Sequence, residues 1–201
     1  MRITKIEPVT KTKYRIYIDE QFAFVLYKGE LSRFRLKEES EVTEETIHTI
    51  KNDILVKRAK LRAMHLLNAM ARTEAQLKQK LLQGGYPEDV VDVAIAYVKS
   101  FGYINDEAYV SNFIETRYNK KSKREIKALL SQKGIDAELA ERMLESSYEE
   151  HSDRDAIQEI VQKKRWNVEE MDYKTKQKAY AYLMRKGFRY EDVRSVLQVE
   201  Y

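Results

Sequence analysis

The sequence has no cysteine, only two prolines and six glycines in 201 residues. Without cysteine there is no disulfide, no thiolate nucleophile and no Cys-ligated zinc, which suits a reducing cytoplasm. So few prolines and glycines cannot supply the tight turns of a sandwich or barrel, and they point to helices. No apolar run approaches the ~20 residues that a membrane-spanning helix needs. The opening Met1-Arg2-Ile3-Thr4-Lys5 has no apolar core of a secretion signal, so a soluble, cytoplasmic chain without membrane contact is expected. No G-x-x-x-x-G-K-[ST] phosphate cradle occurs, and His48, His65 and His151 stand near no matching ligand set. Catalysis, a metal and any other cofactor are therefore not expected.

What the chain does have is charge. Charged residues make up 35% of it, yet the net charge is only +4. The two signs are segregated. From Arg117 to Lys133 the only acid is Glu125, whereas Asp136 to Asp155 is mostly acidic, and Lys163-Lys164-Arg165 and Lys174 to Arg189 turn basic again. Such alternation suits solvated helix faces, and equally a basic stripe that tracks polyphosphate or an acidic protein surface.

The segment from Arg72 to Tyr86 recurs from Lys121 to Ile135 when the two are aligned on Gly85 and Gly134. A hydroxyl opens each copy (Thr73, Ser122), a Gln or Glu follows three residues on (Gln76, Glu125), and an apolar pair lies on one face (Leu77 and Leu81; Ile126 and Leu130). This predicts a helix with a capping box at its start and a left-handed glycine at its end. The pair Gly84-Gly85 thus follows a helix instead of opening one. A third copy aligns on Gly187 with Thr175, Ala179, Leu183 and Phe188, and Lys178 in place of the box's second partner.

Around these segments the chain reads as tandem three-helix repeats, 59–104, 105–150 and 151–201, behind an N-terminal part at 1–58. That part holds two period-two runs, Tyr14 to Ile18 and Phe22 to Leu26, which predict a β-hairpin, with Ile3 to Glu7 as a possible third strand ended by Pro8. A lone hairpin is marginal in water and must lean on helices. From Thr43 the pattern is helical, and Lys57-Arg58-Ala59-Lys60 favours helix too strongly to end it, so a stem runs on to Met70. Within the repeats, Asp106 is expected to cap a first helix and Asp136 a third.

The candidate binding residues are the cations at matching places: Arg72, Lys78 and Lys80 in the first repeat; Arg117, Lys120, Lys121, Lys123, Arg124 and Lys127 in the second; Arg185, Lys186 and Arg189 in the third. Lys123 and Lys127 share one helix face. If the repeats stack with a regular rotation, these positions form one stripe. Tyrosines are interleaved with them and could stack on bases. Tyr109 and Tyr182 read as core from their apolar neighbours, while Tyr118 and Tyr173 stay open. Trp166 is either the anchor of the third repeat or an exposed hot spot.

Several segments resemble the RecX family of recombination regulators: Arg72 to Leu77, Leu81 to Tyr86, Phe101-Gly102-Tyr103-Ile104-Asn105-Asp106-Glu107-Ala108-Tyr109, and Ile126 to Ile135. The Gly-Tyr-Ile-Asn-Asp segment carries most of the specificity. The chain departs from the family's pattern at Ser122, where glycine is usual, and at Ala75-Gln76, where Glu-Leu is more typical. The resemblance implies a mainly α fold of tandem three-helix repeats in an elongated, curved array. It further implies a monomer that binds in the groove of the RecA filament on single-stranded DNA. There it would block extension and damp ATP hydrolysis, strand exchange and co-protease activity, within DNA repair and the SOS response. The residues alone leave two other readings: a stand-alone helix-turn-helix-like DNA-binding protein, and a protein-only scaffold using the acidic block.

Overall fold

The computed structural model describes residues 1–150 and 152–198, without the side chains of 149 and 150. His151 lies outside the described residues. Three strands, β1 (Ile3–Pro8), β2 (Lys13–Ile18) and β3 (Gln21–Tyr27), form an antiparallel sheet in the order β1-β2-β3. The predicted hairpin is β2–β3, with Ile16 opposite Phe24, and the possible third strand is real. Its turn places Asp19 and Glu20 at φ 48° and 66°, the pair of left-handed residues that matches the twist of two-residue hairpins. Alternation sends Ile16, Phe24 and Leu26 inward, where they are buried together with Ile3.

A short helix α1 (Lys28–Arg33) leaves the sheet. The stem then begins at α2 (Glu44–Thr49), capped by the Thr43 hydroxyl. The stem does not break before Met70, but it changes pitch. Ile50–Val56 is π-helical and leads directly into α3 (Lys57–Ala69). The wider π turn brings residues five apart closer to one line, and Ile50 and Leu55 are both fully buried. Arg58 fastens the stem to the sheet. Its guanidinium donates to the Val25 carbonyl at 2.7 Å and pairs with Glu30 at 3.1 Å, and it lies 4.8 Å from the Tyr27 ring.

The repeat helices follow. The first repeat comprises α3, α4 (Glu74–Gln83) and α5 (Glu88–Ser100). The second comprises α6 (Asp106–Glu115), α7 (Lys123–Gln132) and α8 (Ala137–Glu150). The third comprises α9 (Asp153–Lys163), α10 (Tyr173–Arg185) and α11 (Tyr190–Leu197). Thr73 closes the predicted capping box with Gln76. Ser122 accepts from the Glu125 amide, but the Glu125 carboxylate turns to Lys121 instead of reaching back. Asp136 caps α8 by accepting from the Glu138 and Leu139 amides at 3.0 and 3.1 Å. Asp106 is the first residue of α6 instead of its cap.

The third copy differs from its expectation. The cap of α10 is Asp172, whose carboxylate accepts from the Thr175 amide at 2.8 Å. Aligning on the glycine put Thr175 in the place of Thr73. However, α10 has 13 residues where α4 and α7 have 10, so its start lies one turn earlier. Ser152 and Asp155 form a further capping box on α9. Just past the end of α9, Arg165 holds φ 55°, a left-handed conformation that costs a side-chain-bearing residue ~1–2 kcal/mol. Arg165→Gly is expected to stabilise the chain by about 1 kcal/mol, read as a higher urea midpoint with an unchanged slope.

The chain divides into two units, residues 1–105 and those from 106 on. In the first, the sheet, the stem and the first repeat share a single core, in which Phe24, Leu55, Leu77 and Val91 all take part. The sheet is thus the third face of that repeat's core, which is the support a lone hairpin lacks. In the second unit the two repeats keep separate cores, one around Phe113, Ile126 and Leu144, the other around Ile157, Leu183 and Phe188. Trp166 packs with the latter, its ring 5.9 Å from that of Tyr182. Tyr109 and Tyr118 are half-buried against the former and Tyr182 against the latter, while Tyr173 is 70% exposed. Among the described residues no helix is long and apolar enough to cross a membrane.

Candidate binding surface

Helix polarity places the cations, and neighbouring helices decide which of them stay available. In the first unit, Lys78 on α4 reaches two acids of α5, Glu88 and Asp92, each at 3.0 Å. Hydrogen bonds that it donates to Asp92 and Glu88 hold its ammonium above the usual lysine range. Arg72 donates to the Leu66 carbonyl at 3.4 Å, and exposed Lys80 lies 3.4 Å from Gln83. Lys78 therefore works as a helix–helix clasp, leaving Lys80 as the more open cation of this set.

The second unit holds the remaining candidates. Arg117 lies 3.8 Å from the centre of the Phe113 ring and donates to the Thr116 hydroxyl at 2.6 Å. Lys121 pairs with Glu125 along the chain, and the other oxygen of that carboxylate is buried without a partner. Lys127 pairs with Glu141 of α8, and Lys123 lies 3.9 Å from the same carboxylate. The Lys127 hydrogen bond holds the Glu141 carboxyl below its usual range. Lys186 is half-buried with its ammonium 5.9 Å from the Tyr182 ring. Lys120, Arg124 and Arg185 are exposed and form no ion pair among the described residues.

Between the second and third repeats of this unit lies a groove of about 980 Å³. It brings together Lys123, Arg124, Lys127 and Arg189 from the candidate set and adds Arg154. Its walls also carry Glu141 and Asp153 of the acidic block, and Glu191 and Asp192, which were not singled out from the sequence. Arg154 pairs with Asp192 at 2.9 Å, and Asp153 accepts from the Lys123 amide at the start of α7, also at 2.9 Å. A second strap runs beside it, where the Ser122 hydroxyl donates to the Lys186 carbonyl at 2.9 Å. The sequence held a signal for these acids, because a basic second helix followed by an acidic third helix in one repeat invites pairing across them.

Asp153 is the strained member of the groove. Burial pushes its carboxyl above the usual range and the charge of Asp192 adds to this, while the Lys123 amide, Arg189 and Lys123 act the other way. Burial likewise raises the Tyr148 phenol, with the Asp153 charge contributing. A carboxyl raised on folding stabilises the fold at low pH and loses that contribution as pH climbs through its folded pKa. Asparagine keeps the acceptor for the Lys123 amide but carries no charge. Asp153→Asn is therefore expected to melt at a higher temperature than the parent at pH 8, with the gap closing as pH falls through the raised carboxyl pKa towards the ordinary Asp value of about 4. Thermal unfolding followed at both ends of that range checks it, and a gap that widens in acid would contradict the assignment.

No group of three or more His, Cys, Asp or Glu among the described residues is arranged to hold a metal ion.

Comparison with known proteins agrees along the whole chain. Sequence models described as the first, second and third three-helix domains of RecX match residues 59–97, 105–144 and 152–197. A protein of Caldanaerobacter subterraneus subsp. tengcongensis named Regulatory protein RecX is 32% identical over 201 residues, covering 99% of this chain and 100% of its own. The Clostridium beijerinckii protein of the same name is 29% identical, covering 98% and 94%. A crystal structure of regulatory protein RecX superposes with a TM-score of 0.63 at 27% identity over 99% of both chains. The structure of RecX from Lactobacillus salivarius gives 0.61 at 25% identity, over 72% of this chain and 95% of its own. With one RecX domain model matched to each repeat, and likeness that runs from end to end of its relatives, this chain belongs to the RecX family of regulatory proteins.

Proposed function

We propose that this chain regulates recombination by binding the RecA filament on single-stranded DNA, within its groove, and blocking its extension. Filament ATPase, strand exchange and co-protease activity fall as a consequence, and the chain itself catalyses nothing. It acts as a cytoplasmic monomer, and its contact with DNA is weak or depends on the filament. The observation that carries this reading is full-length likeness to proteins named as RecX regulators. The surface chemistry supports it, since cations without an ion pair, such as Lys120 and Arg124, are available to an acidic or phosphate-bearing partner.

The test is RecA ATPase on single-stranded DNA with substoichiometric amounts of this protein. Unchanged turnover, under conditions where filaments grow and shed subunits, would remove the proposal. Lys120→Glu combined with Arg124→Glu is expected to weaken inhibition at least several-fold without lowering the melting temperature, because neither residue holds another element. Full potency in that variant would clear the second repeat of a direct role.

A further inference from the structure

The cations of α10 differ from those of α7 in what surrounds them. On α7, Lys127 pairs with Glu141 and Lys123 lies 3.9 Å from the same carboxylate. The sequence of α10, Tyr173 to Arg185, contains Lys174, Lys176, Lys178 and Arg185 and no acid at all. None of these four forms an ion pair among the described residues. One helix thus holds as much positive charge as the whole chain has in excess, +4, and a polyanion would be drawn to it first.

The face that α10 shows to solvent has two edges. Its core side is set by Ala179 and Leu183, both buried. At about 100° per residue, Tyr173 and Met184 lie along one exposed edge and Lys174, Lys178 and Arg185 along the other, with Gln177 and Ala181 between. Tyr173 is 70% exposed and Met184 37% exposed. No ring or hydrogen-bond partner engages Tyr173 among the described residues. Tyr190, 44% exposed, stands edge-on to Tyr180 with ring centres 5.9 Å apart, and adds a second accessible ring beside the first edge. The nearest acid in sequence, Asp172, is committed to Thr175 at the helix start, and the Lys178 charge adds to its stabilisation without an ion pair. The row spans roughly 16 Å from Tyr173 to Met184.

We infer that this face of α10 is a binding site for single-stranded nucleic acid, with a base stacked on Tyr173 and the phosphate backbone tracked by Lys174, Lys178 and Arg185. Exposed rings beside unpaired cations are the recurring chemistry of sequence-tolerant single-strand binding. A duplex keeps its base faces stacked inside and would have no use for Tyr173. An acidic protein surface would use the cations but not the ring. This site goes beyond the proposed function, because it requires no RecA and takes only Arg185 from the cations considered for the filament, adding Tyr173, Lys174 and Lys178.

The experiment is fluorescence anisotropy of a short labelled oligothymidylate with the full chain alone, across a salt series. The parent is expected to bind the single strand more tightly than a duplex of equal length. Lys174→Ala, Lys178→Ala and Arg185→Ala together should flatten the slope of log affinity against log salt by about 2, at ~0.7 per phosphate contact. Tyr173→Ala should weaken binding about 5- to 150-fold, while Tyr173→Phe, which keeps the ring face, should bind like the parent. Lys57→Ala, an exposed cation of the first unit, should change nothing. If the triple variant unfolds, the contrast between Tyr173→Ala and Tyr173→Phe decides alone. Absence of binding, preference for duplex, or indifference to Tyr173 would each overturn the inference. Because no RecA is present, these outcomes are separate from success or failure of the filament assay.

Discussion

Gly85→Ala is expected to destabilise the first unit by about 2–5 kcal/mol. Gly85 ends α4 at φ +82°, and a Cβ built there would stand 2.5 Å from Cγ2 of Val25 on β3. Two penalties add. The left-handed backbone costs any side-chain-bearing residue ~1–2 kcal/mol, and forcing a methyl into occupied space costs ~1–3 kcal/mol more. The second penalty is removable. Val25→Ala deletes the clashing methyl and leaves the Val25 Cβ 3.4 Å away, an ordinary contact. Urea unfolding of the two single variants and the double should therefore show a favourable coupling of about 1–3 kcal/mol. Simple additivity would mean that the α4–α5 turn does not rest on the sheet. The same contact explains why strands that are marginal alone are held: the glycine turn of the first repeat is seated on β3, and Arg58 pins the stem beside it.

Ser122→Ala is the second large effect, about 2–3 kcal/mol in the second unit. The Ser122 hydroxyl is fully buried and has two tasks. It accepts from the Glu125 amide at 3.1 Å and donates to the Lys186 carbonyl at 2.9 Å. The turn that carries this carbonyl also depends on Gly187, at φ +83°, where an added Cβ would meet the Ser122 Oγ at 2.9 Å. Alanine loses the cap and the strap together. Glycine at the same place keeps most of the cap's value, because a glycine N-cap is only a few tenths of a kcal/mol worse than serine. Ser122→Gly should therefore cost about 1 kcal/mol, and the difference between the variants measures the cap alone. Equal losses would show that the strap carries the whole effect. Through this one hydroxyl the chain has a hydrogen bond joining the second and third repeats.

The helix ends were readable because they are set by neighbours in sequence. Thr73 with Gln76, and Asp136 with the amides after it, involve groups within three residues of one another. Alternation marked β2 and β3 for the same reason, since a half-buried strand shows its two faces in its own sequence. The misplaced start of α10 was a failure of alignment more than of chemistry. Asp172 is the better cap by residue type, but matching the glycines imposed the length of α4 on a longer helix. The π turn at Ile50–Val56 left no comparable mark, because its pitch serves the burial of Ile50 and Leu55 in a core built from three distant segments.

The candidate surface divides in the same way. Sequence supplied the full set of cations and the open question of Tyr173. It could not say that Lys78 would be spent on Glu88 and Asp92, or Lys123 and Lys127 on Glu141, because those pairings exist only once one helix is laid against another. Nor could it foresee Asp153 reaching across to the first amide of α7. By itself, then, the sequence determined where most of the repeat helices start and stop, that they recur in threes, and which family the chain resembles, because capping, turn geometry and periodicity act over a few residues. Only the tertiary structure decided which charges cancel and which remain for a partner, because Coulomb attraction depends on distance in space, and that distance is set by packing.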